Sequence, residues 1–160
     1  MSLWGALAGA FVGTAVLTTL MRAASELRLT RIDLPFLLGT AFTANRLHAK
    51  ALGYAVHFAA GFAFALVYYA LFNAVHASGW WLGAAVGTLH AAFAGTALVN
   101  ILLPLVHPRM GSPYTGATSV PLLEPPGFLM LNYGPQTPLV SLVAHVAYGA
   151  LVGGLMQLAG

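Results

Sequence analysis

The feature that most limits what this chain can fold into is a long run without charge, because no Asp, Glu, Lys or Arg occurs from position 51 to position 108. The first 21 residues lack these residue types as well. Only 6% of the whole chain is charged, whereas a soluble domain usually has about a quarter. So few polar groups cannot cover a surface in water. The composition therefore excludes a soluble globular domain, a disordered segment and a nucleic-acid-binding module, and predicts an integral membrane protein.

Four stretches are long enough to cross a bilayer, since a helix needs roughly 20 apolar residues to do so. They are residues 3–21, 51–75, 80–103 and 138–159. Their apolar residues are continuous rather than alternating, which favours helices over the strands of a barrel. The predicted fold is an all-α, polytopic bundle of four transmembrane helices, forming one domain over residues 1–160. Two inner loops, 22–50 and 104–137, are expected to carry interfacial segments.

The positive charges predict how the chain is oriented. Five of them lie between the first two predicted spans, and the sixth, Arg109, lies between the last two. In a four-span protein these loops share one side, which the positive-inside rule makes cytoplasmic, so both termini are expected outside. The five residues suit anionic lipid head groups or the acidic surface of a partner. They are Arg22, Arg28, Arg31, Arg46 and Lys50.

A weak internal repeat links the two halves of the chain. Residues 10–15 (AFVGTA) match residues 92–97 (AFAGTA), and the second and fourth spans each contain a histidine followed four residues later by glycine. This pattern predicts two parallel helical hairpins related by a pseudo-twofold axis along the membrane normal. The simpler interpretation is a four-helix bundle with no site on that axis.

The inner loops contain a common pattern of an acid and proline ahead of a short apolar run. The first loop has Asp33 before Pro35, and the second has Glu124 before Pro125. An acid followed by proline is typical of the first turn of a helix. We therefore expect a short helix at the membrane surface in each loop.

Glycines recur at four-residue intervals in the predicted spans. Small residues at this spacing let two helix backbones approach closely in lipid. The contact can lie within the chain or against another subunit, and the sequence leaves both open. The glycines concerned are Gly5, Gly9, Gly13, Gly61, Gly83, Gly87, Gly149 and Gly153.

Three histidines, His57, His90 and His145, lie inside the spans on faces that also carry small residues. Intramembrane ionisable residues are candidates for function by default. Counting from the span ends places His57 and His145 level with each other, about 9 to 11 Å from the cytoplasmic boundary, and His90 about 10 Å deeper. The sequence thus predicts a pair of histidines and a third that stands apart.

Three interpretations of these histidines remain open. The imidazoles can bond hydroxyls or carbonyls and hold the helices together. Alternatively, His57 and His145 are the axial ligands of a haem b, with small neighbours that leave room for the porphyrin. The third interpretation is a divalent metal site or proton pathway that also uses His90 or Asn100, although the difference in depth argues against one shared site.

The other histidines and several aromatic residues are expected at the membrane interfaces rather than in a site. These are His48, His76, His107, Trp4, Trp80, Trp81, Tyr68 and Tyr69. No nucleophile elbow, phosphate-binding loop or zinc-protease motif occurs, and the three acidic residues are scattered over the loops. The sequence therefore predicts a protein that is not an enzyme.

Short motifs spread over nearly the whole chain also indicate a family. They are the TTLM at 18–21, the RIDLPFLLGT at 31–40, the stretch from His57 to Tyr69, and the HVAYG at 145–149. Their order resembles a family of uncharacterised small bacterial membrane proteins with four helices. The resemblance implies a four-helix protein of the bacterial inner membrane and implies no established activity.

The expected function is that of an accessory, stabilising or assembly subunit of a larger inner-membrane complex, with an electron-transfer complex as the most natural host. The expected partners are membrane lipids and either other membrane subunits or further copies of this chain. One alternative is a small haem-b electron carrier that uses His57 and His145. The other is a transporter or channel formed by several copies.

Overall fold

The structure is a computed structural model that describes residues 1–110 and 123–160. Its elements are helical and follow one another as α1 (Leu3–Glu26), α2 (Leu34–Gly39), α3 (Arg46–Ala74), α4 (Trp80–Phe93), a π-helix (Ala94–Leu102), α5 (Leu103–Val106), a 3-10 helix (Phe128–Tyr133) and α6 (Thr137–Leu158). The α4 helix, the π-helix and α5 form one continuous rod. Within the described ranges, four helices are long and apolar enough to cross a membrane. The predicted all-α, multi-pass, four-helix fold is confirmed.

The four spans are α1, α3, the third span (Trp80–Val106) and α6. Two of them are longer than their apolar stretches, because α1 continues to Glu26 and α3 begins at Arg46. Arg, Lys and Glu are good helix formers, so the helices extend past the ends of the hydrophobic runs. The side chain of Asn45 starts α3 by accepting hydrogen bonds of 3.1 Å from the backbone N–H groups of Leu47 and His48.

The helices form a chain of neighbours rather than a closed ring. The α4 helix packs on α6, α6 on α1, α1 on α3, and α3 on the short α2. The first and fourth spans are therefore the most buried, and the fully buried side chains of Tyr148, Val152 and Met156 lie on α6. The second and third spans face each other across a gap, which is where the candidate site lies.

The predicted glycines lie at the interfaces within this chain. Those of α1 lie against α6: a Cβ on Gly9 would stand 2.7 Å from the Cα of Val152, and one on Gly13 would stand 2.9 Å from the ring of Tyr148. On α4, a Cβ on Gly83 would collide with the carbonyl of Gly149. The remaining four predicted glycines lie equally close to a neighbour. Gly5 contacts α6 and Gly61 contacts Thr14 of α1, while Gly87 contacts His145 and Gly153 contacts Gly79. Packing within one chain accounts for every one of the eight.

The two inner loops start their short helices differently. Asp33 caps α2, accepting a hydrogen bond of 3.2 Å from the N–H of Phe36, as its sequence pattern predicts. In the second loop the segment is a 3-10 helix without a side-chain cap, and Leu129 and Met130 adopt positive φ angles of 50° and 61°. Glu124 does not cap that helix. Residues 111–122, which belong to the second predicted loop, lie outside the described part of the chain.

The end of the bundle that carries the loops holds the basic residues, and we call it the basic end. Each acid there contacts a base: Arg22 bonds Glu26 at 2.8 Å, and Lys50 bonds Asp33 at 2.8 Å. The third pair, Arg31 with Glu124 at 3.3 Å, joins the two loops. Arg46 lies over the ring of Phe36, and Arg28 is exposed with a positive φ. A role of these residues towards lipid or a partner stays a prediction, as does the cytoplasmic side.

His107 corrects one expectation, because it is not an interfacial residue. It is 3% exposed, and its Nε2 lies 2.9 Å from the carbonyl oxygen of Leu37 in α2. Its Nδ1 accepts a hydrogen bond of 3.2 Å from the N–H of Arg109. Both ring nitrogens are therefore engaged, and His107 fastens the inner end of the third span to α2. The sequence shows a histidine before a proline but not the carbonyl that it bonds.

The two halves of the bundle do not pack equivalently. Gly13 of α1 lies against Tyr148, whereas its counterpart in the repeat, Gly95, lies in the π-helix against Leu129. The interface between the first and fourth spans is closed, and the one between the second and third is open. The internal repeat stays a prediction of the sequence.

Candidate functional site

A cavity of ≈ 180 Å³ lies between α3 and the third span, with α1 and α6 behind it. The basic end of the cavity is closed by α2 and the 3-10 helix, which contribute Leu37 and Met130. Most of the lining is aliphatic. Six side chains of the lining carry a polar group, and we call them the polar cluster: Thr14, His57, His90, Ser141, His145 and Tyr148.

All three intramembrane histidines belong to this cluster, which corrects the prediction that His90 stands apart. The ring centroids of His90 and His145 are 4.8 Å apart, with the rings edge to face. Counting residues failed for two reasons. The α3 helix begins at Arg46, so the end of an apolar run does not mark a fixed depth. The π-helix between His90 and the end of the third span has wider turns, and so advances less per residue than an α-helix.

The tautomer of His145 follows from its contacts. Its Nδ1 lies 2.8 Å from the carbonyl oxygen of Ser141, one helical turn earlier. A carbonyl oxygen only accepts, so Nδ1 carries the proton and donates. In the neutral ring, Nε2 is then an acceptor. His145 therefore offers a lone pair to whatever occupies the cavity.

Two polar atoms of the cluster are buried without a hydrogen-bond partner among the described residues, Nε2 of His57 and Oγ1 of Thr14. Thr14 itself is only 1% exposed. Buried polar side-chain atoms nearly always have a partner, and leaving one unsatisfied costs about 1–3 kcal/mol. These two atoms mark a place where a ligand or an ordered water can supply the missing bonds.

His90 is held by aromatic rings of α3. Its ring centroid is 4.0 Å from that of Phe64, and its Nδ1 lies 3.4 Å from the hydroxyl of Tyr68. Tyr148 completes the cluster by donating a hydrogen bond of 2.5 Å from its hydroxyl to the carbonyl of Gly61. Phe64 and Tyr68 thus reach across from the second span to His90 of the third, while Tyr148 joins the fourth span to the second.

The sequence analysis missed Phe64 and Tyr148, and it placed Tyr68 wrongly. Tyr68 is 2% exposed and lies in the core, not at the membrane interface. A signal was available, because Tyr68 lies seven residues after Gly61 and so shares the face that carries His57 and Gly61. Hydropathy alone assigned it to the surface because tyrosine is common in both places.

Asn100 does not join the histidines. Its side-chain amide donates hydrogen bonds of 3.0 Å to the carbonyls of Gly95 and Thr96, both within the π-helix. The amide is thus bonded to its own helix rather than turned towards the histidines. The interpretation that added His90 or Asn100 to a metal site or proton pathway therefore gains no support for Asn100.

The residues present do not fit the metal or haem interpretations. Within the described residues, no three His, Cys, Asp or Glu side chains are placed to hold a metal ion. A cavity of ≈ 180 Å³ is smaller than the roughly 300–1,000 Å³ of ordinary ligand pockets, and it has no room for a porphyrin.

Comparison with known proteins adds no assignment: no family model, no curated protein and no solved structure matches this chain. The function must therefore be argued from the cavity and the polar cluster.

Proposed function

We propose that this chain is a non-catalytic accessory subunit of a larger membrane complex and that it holds a small lipophilic molecule between its second and third spans. The observation that carries the proposal is the apolar cavity with two unpartnered polar atoms, on Thr14 and His57, in its wall. An empty cavity lowers stability by about 24 cal/mol per Å³. A bound molecule offsets this cost and satisfies the two polar atoms as well.

Two features support the accessory role: the polar cluster lacks a catalytic pair, and the second and third spans leave apolar faces exposed. The cluster contains one hydroxyl beside an imidazole nitrogen, Oγ of Ser141 at 3.3 Å from Nδ1 of His145, but this Nδ1 carries the proton that it donates to the carbonyl of Ser141 and so cannot act as the base that activates a nucleophile. The second and third spans are the least buried, so they leave broad apolar faces for lipid or a host complex. The transporter alternative has no specific observation in its favour, because the cavity lining away from the polar cluster is aliphatic.

Native mass spectrometry of the protein released from membranes in mild detergent tests the ligand part of the proposal. We expect one small adduct in the natural protein. Ala60 lines the cavity, so A60F fills the space and should lose the adduct. Ala70 is exposed on the same helix, and A70F should keep it. A bare natural protein, or an adduct that survives in A60F, contradicts the proposal.

A separate measurement tests the proposal that this chain is an accessory subunit. The same mild extraction with an affinity tag is expected to bring down stoichiometric membrane subunits. A tagged protein that always elutes alone, at the mass of this chain, overturns the accessory role and leaves the ligand result unaffected.

A further inference from the structure

We infer that the cavity selects a single hydroxylated six-membered ring carried on an apolar tail, which is the chemistry of a quinol head group. This inference rests on the proposed function, because it names the chemical class of the molecule held between the second and third spans. It is carried by the size of the cavity, the hydrogen-bonding state of the polar cluster, and the open side of the bundle.

The volume of the cavity limits the number of rings that a bound molecule can have. An apolar protein cavity of about 150 Å³ binds one benzene molecule. The cavity of ≈ 180 Å³ exceeds that by roughly the volume that one or two ring substituents need. A fused ring system or a macrocycle is too large, and a plain acyl chain leaves the polar cluster unsatisfied.

The polar cluster calls for hydroxyl groups on that ring. Because Nδ1 of His145 donates to the carbonyl of Ser141, its Nε2 is an acceptor that a ligand hydroxyl can bond. The unpartnered Nε2 of His57 and Oγ1 of Thr14 can each bond a hydroxyl as well, since a hydroxyl both donates and accepts. A ring hydroxyl donates to Nε2 of His145, whereas a carbonyl oxygen of the oxidised quinone cannot. We therefore expect the reduced form to bind more tightly than the oxidised form.

The open side of the bundle gives the tail a path. The cavity wall contains Val56 and Ala60 on α3, and Leu98 and Leu103 on the third span. These two spans make few direct backbone contacts, unlike the other neighbouring spans. A tail attached to the ring can pass between them and lie along apolar side chains, so the ligand reaches the cavity from within the membrane.

Calorimetric titration of the full-length protein in detergent, under anaerobic conditions, tests this inference. The probes are a hydroquinone with a short alkyl tail and no other ring substituent, the matching quinone, and an alkylbenzene with the same tail. We expect the hydroquinone to bind at least about 10-fold more tightly than either of the others, as expected for one buried hydrogen bond. H57L should weaken hydroquinone binding about 10-fold and leave alkylbenzene binding unchanged. H48L, at an exposed histidine of α3, should change neither.

The outcomes separate the two proposals. If all three probes bind equally and H57L has no effect, the hydroxylated-ring inference fails while a lipophilic ligand in the cavity stands. If no probe binds, or if binding survives in A60F, the cavity is not the site, and this inference fails together with the ligand part of the proposed function. A variant H145L that still folds, judged by its helical circular dichroism, should lose the preference for hydroquinone over quinone. A retained preference contradicts the role given to Nε2 of His145.

Discussion

The interface between α4 and α6 and the interface between α3 and the third span are built from opposite kinds of residue. At the first, Gly83 and Gly149 bring the two backbones into direct contact, and a Cβ on either would strike the carbonyl of the other. At the second, Phe64, Tyr68 and His90 meet through their rings. One interface has no room for a methyl group, and the other contains a cavity of ≈ 180 Å³.

This difference shows what makes space inside a small membrane bundle. Lipid tails are as apolar as the helices, so helices associate where small residues let their backbones pack closely. Large rings placed opposite each other keep two helices apart and leave a gap beside them. The cavity is thus a consequence of which residues face each other, and changes at the two interfaces should have opposite effects.

The largest effect is expected from a side chain placed in the closed interface. G149V should prevent the bundle from forming or lower its unfolding free energy by about 3 kcal/mol or more, because the new Cβ meets backbone that cannot move aside. Thermal unfolding in detergent, monitored by circular dichroism, measures this change in unfolding free energy. Gly154 is the control, because a Cβ there stands 3.6 Å from Trp80 in ordinary contact. If G149V and G154V unfold alike, the close approach of α4 and α6 is wrong.

A smaller effect is expected where the third span is fastened to α2. H107L removes the hydrogen bond of 2.9 Å to the carbonyl of Leu37, which should cost about 1–2 kcal/mol. Hydrogen exchange should quicken in α2 while α6 stays protected. The exposed His48 gives the matched control H48L. Unchanged exchange in α2 would show that other contacts hold this helix in place.

At the interface between α3 and the third span, replacing a small side chain by a larger one should instead raise the unfolding free energy of the protein. A60F places a ring in the cavity instead of against backbone, and we expect a gain of about 1 kcal/mol in the absence of ligand. Denaturant titration in detergent measures this, with A70F on the exposed face as the neutral control. If A60F lowers the unfolding free energy as much as G149V does, the second and third spans are packed as tightly as the other spans.

The smallest effect concerns the basic end and appears only at alkaline pH. Burial, together with the negative charge of Glu124 and against the positive charge of Arg31, raises the pKa of Tyr133 from 10.0 to about 12. A raised folded-state pKa gives stability that is complete below pH 10 and is lost as the pH rises through about 12. Y133F should therefore lose less stability over this pH range than the natural protein. Parallel curves would show that Tyr133 titrates as it does in the unfolded chain.

Much of the fold could be predicted from the sequence because it follows from local properties. Length and hydropathy identify four spans, and the acid and proline at Asp33 and Pro35 identify α2. The four-residue spacing of the glycines identifies the faces that pack. None of these signals says which helix lies opposite, so the choice between internal packing and a partner subunit needed the structure.

The candidate site was harder to predict because it depends on register between helices. The sequence named all three histidines, yet it separated His90 from His145, since residue counting assumes straight α-helices that end at the membrane surface. The π-helix breaks that assumption. The roles of Tyr68 and His107 depend on partners far away in sequence, which a hydropathy pattern does not contain.

The π-helix has a further consequence, for how the chain tolerates insertions and deletions. A π turn holds one residue more than an α turn, so the third span carries an extra residue between the part that packs on α6 and the part that lines the cavity. Deleting one residue near Ala97 would let this stretch wind as a regular α-helix while the parts on either side keep their faces, because the wide turn already absorbs the extra residue. Deleting one residue within α4, where no wide turn absorbs the change, would turn everything after it by about 100° and rotate Leu98 and Val99 away from the cavity that they now line. The third span should therefore tolerate a change in length at the π-helix better than one within α4.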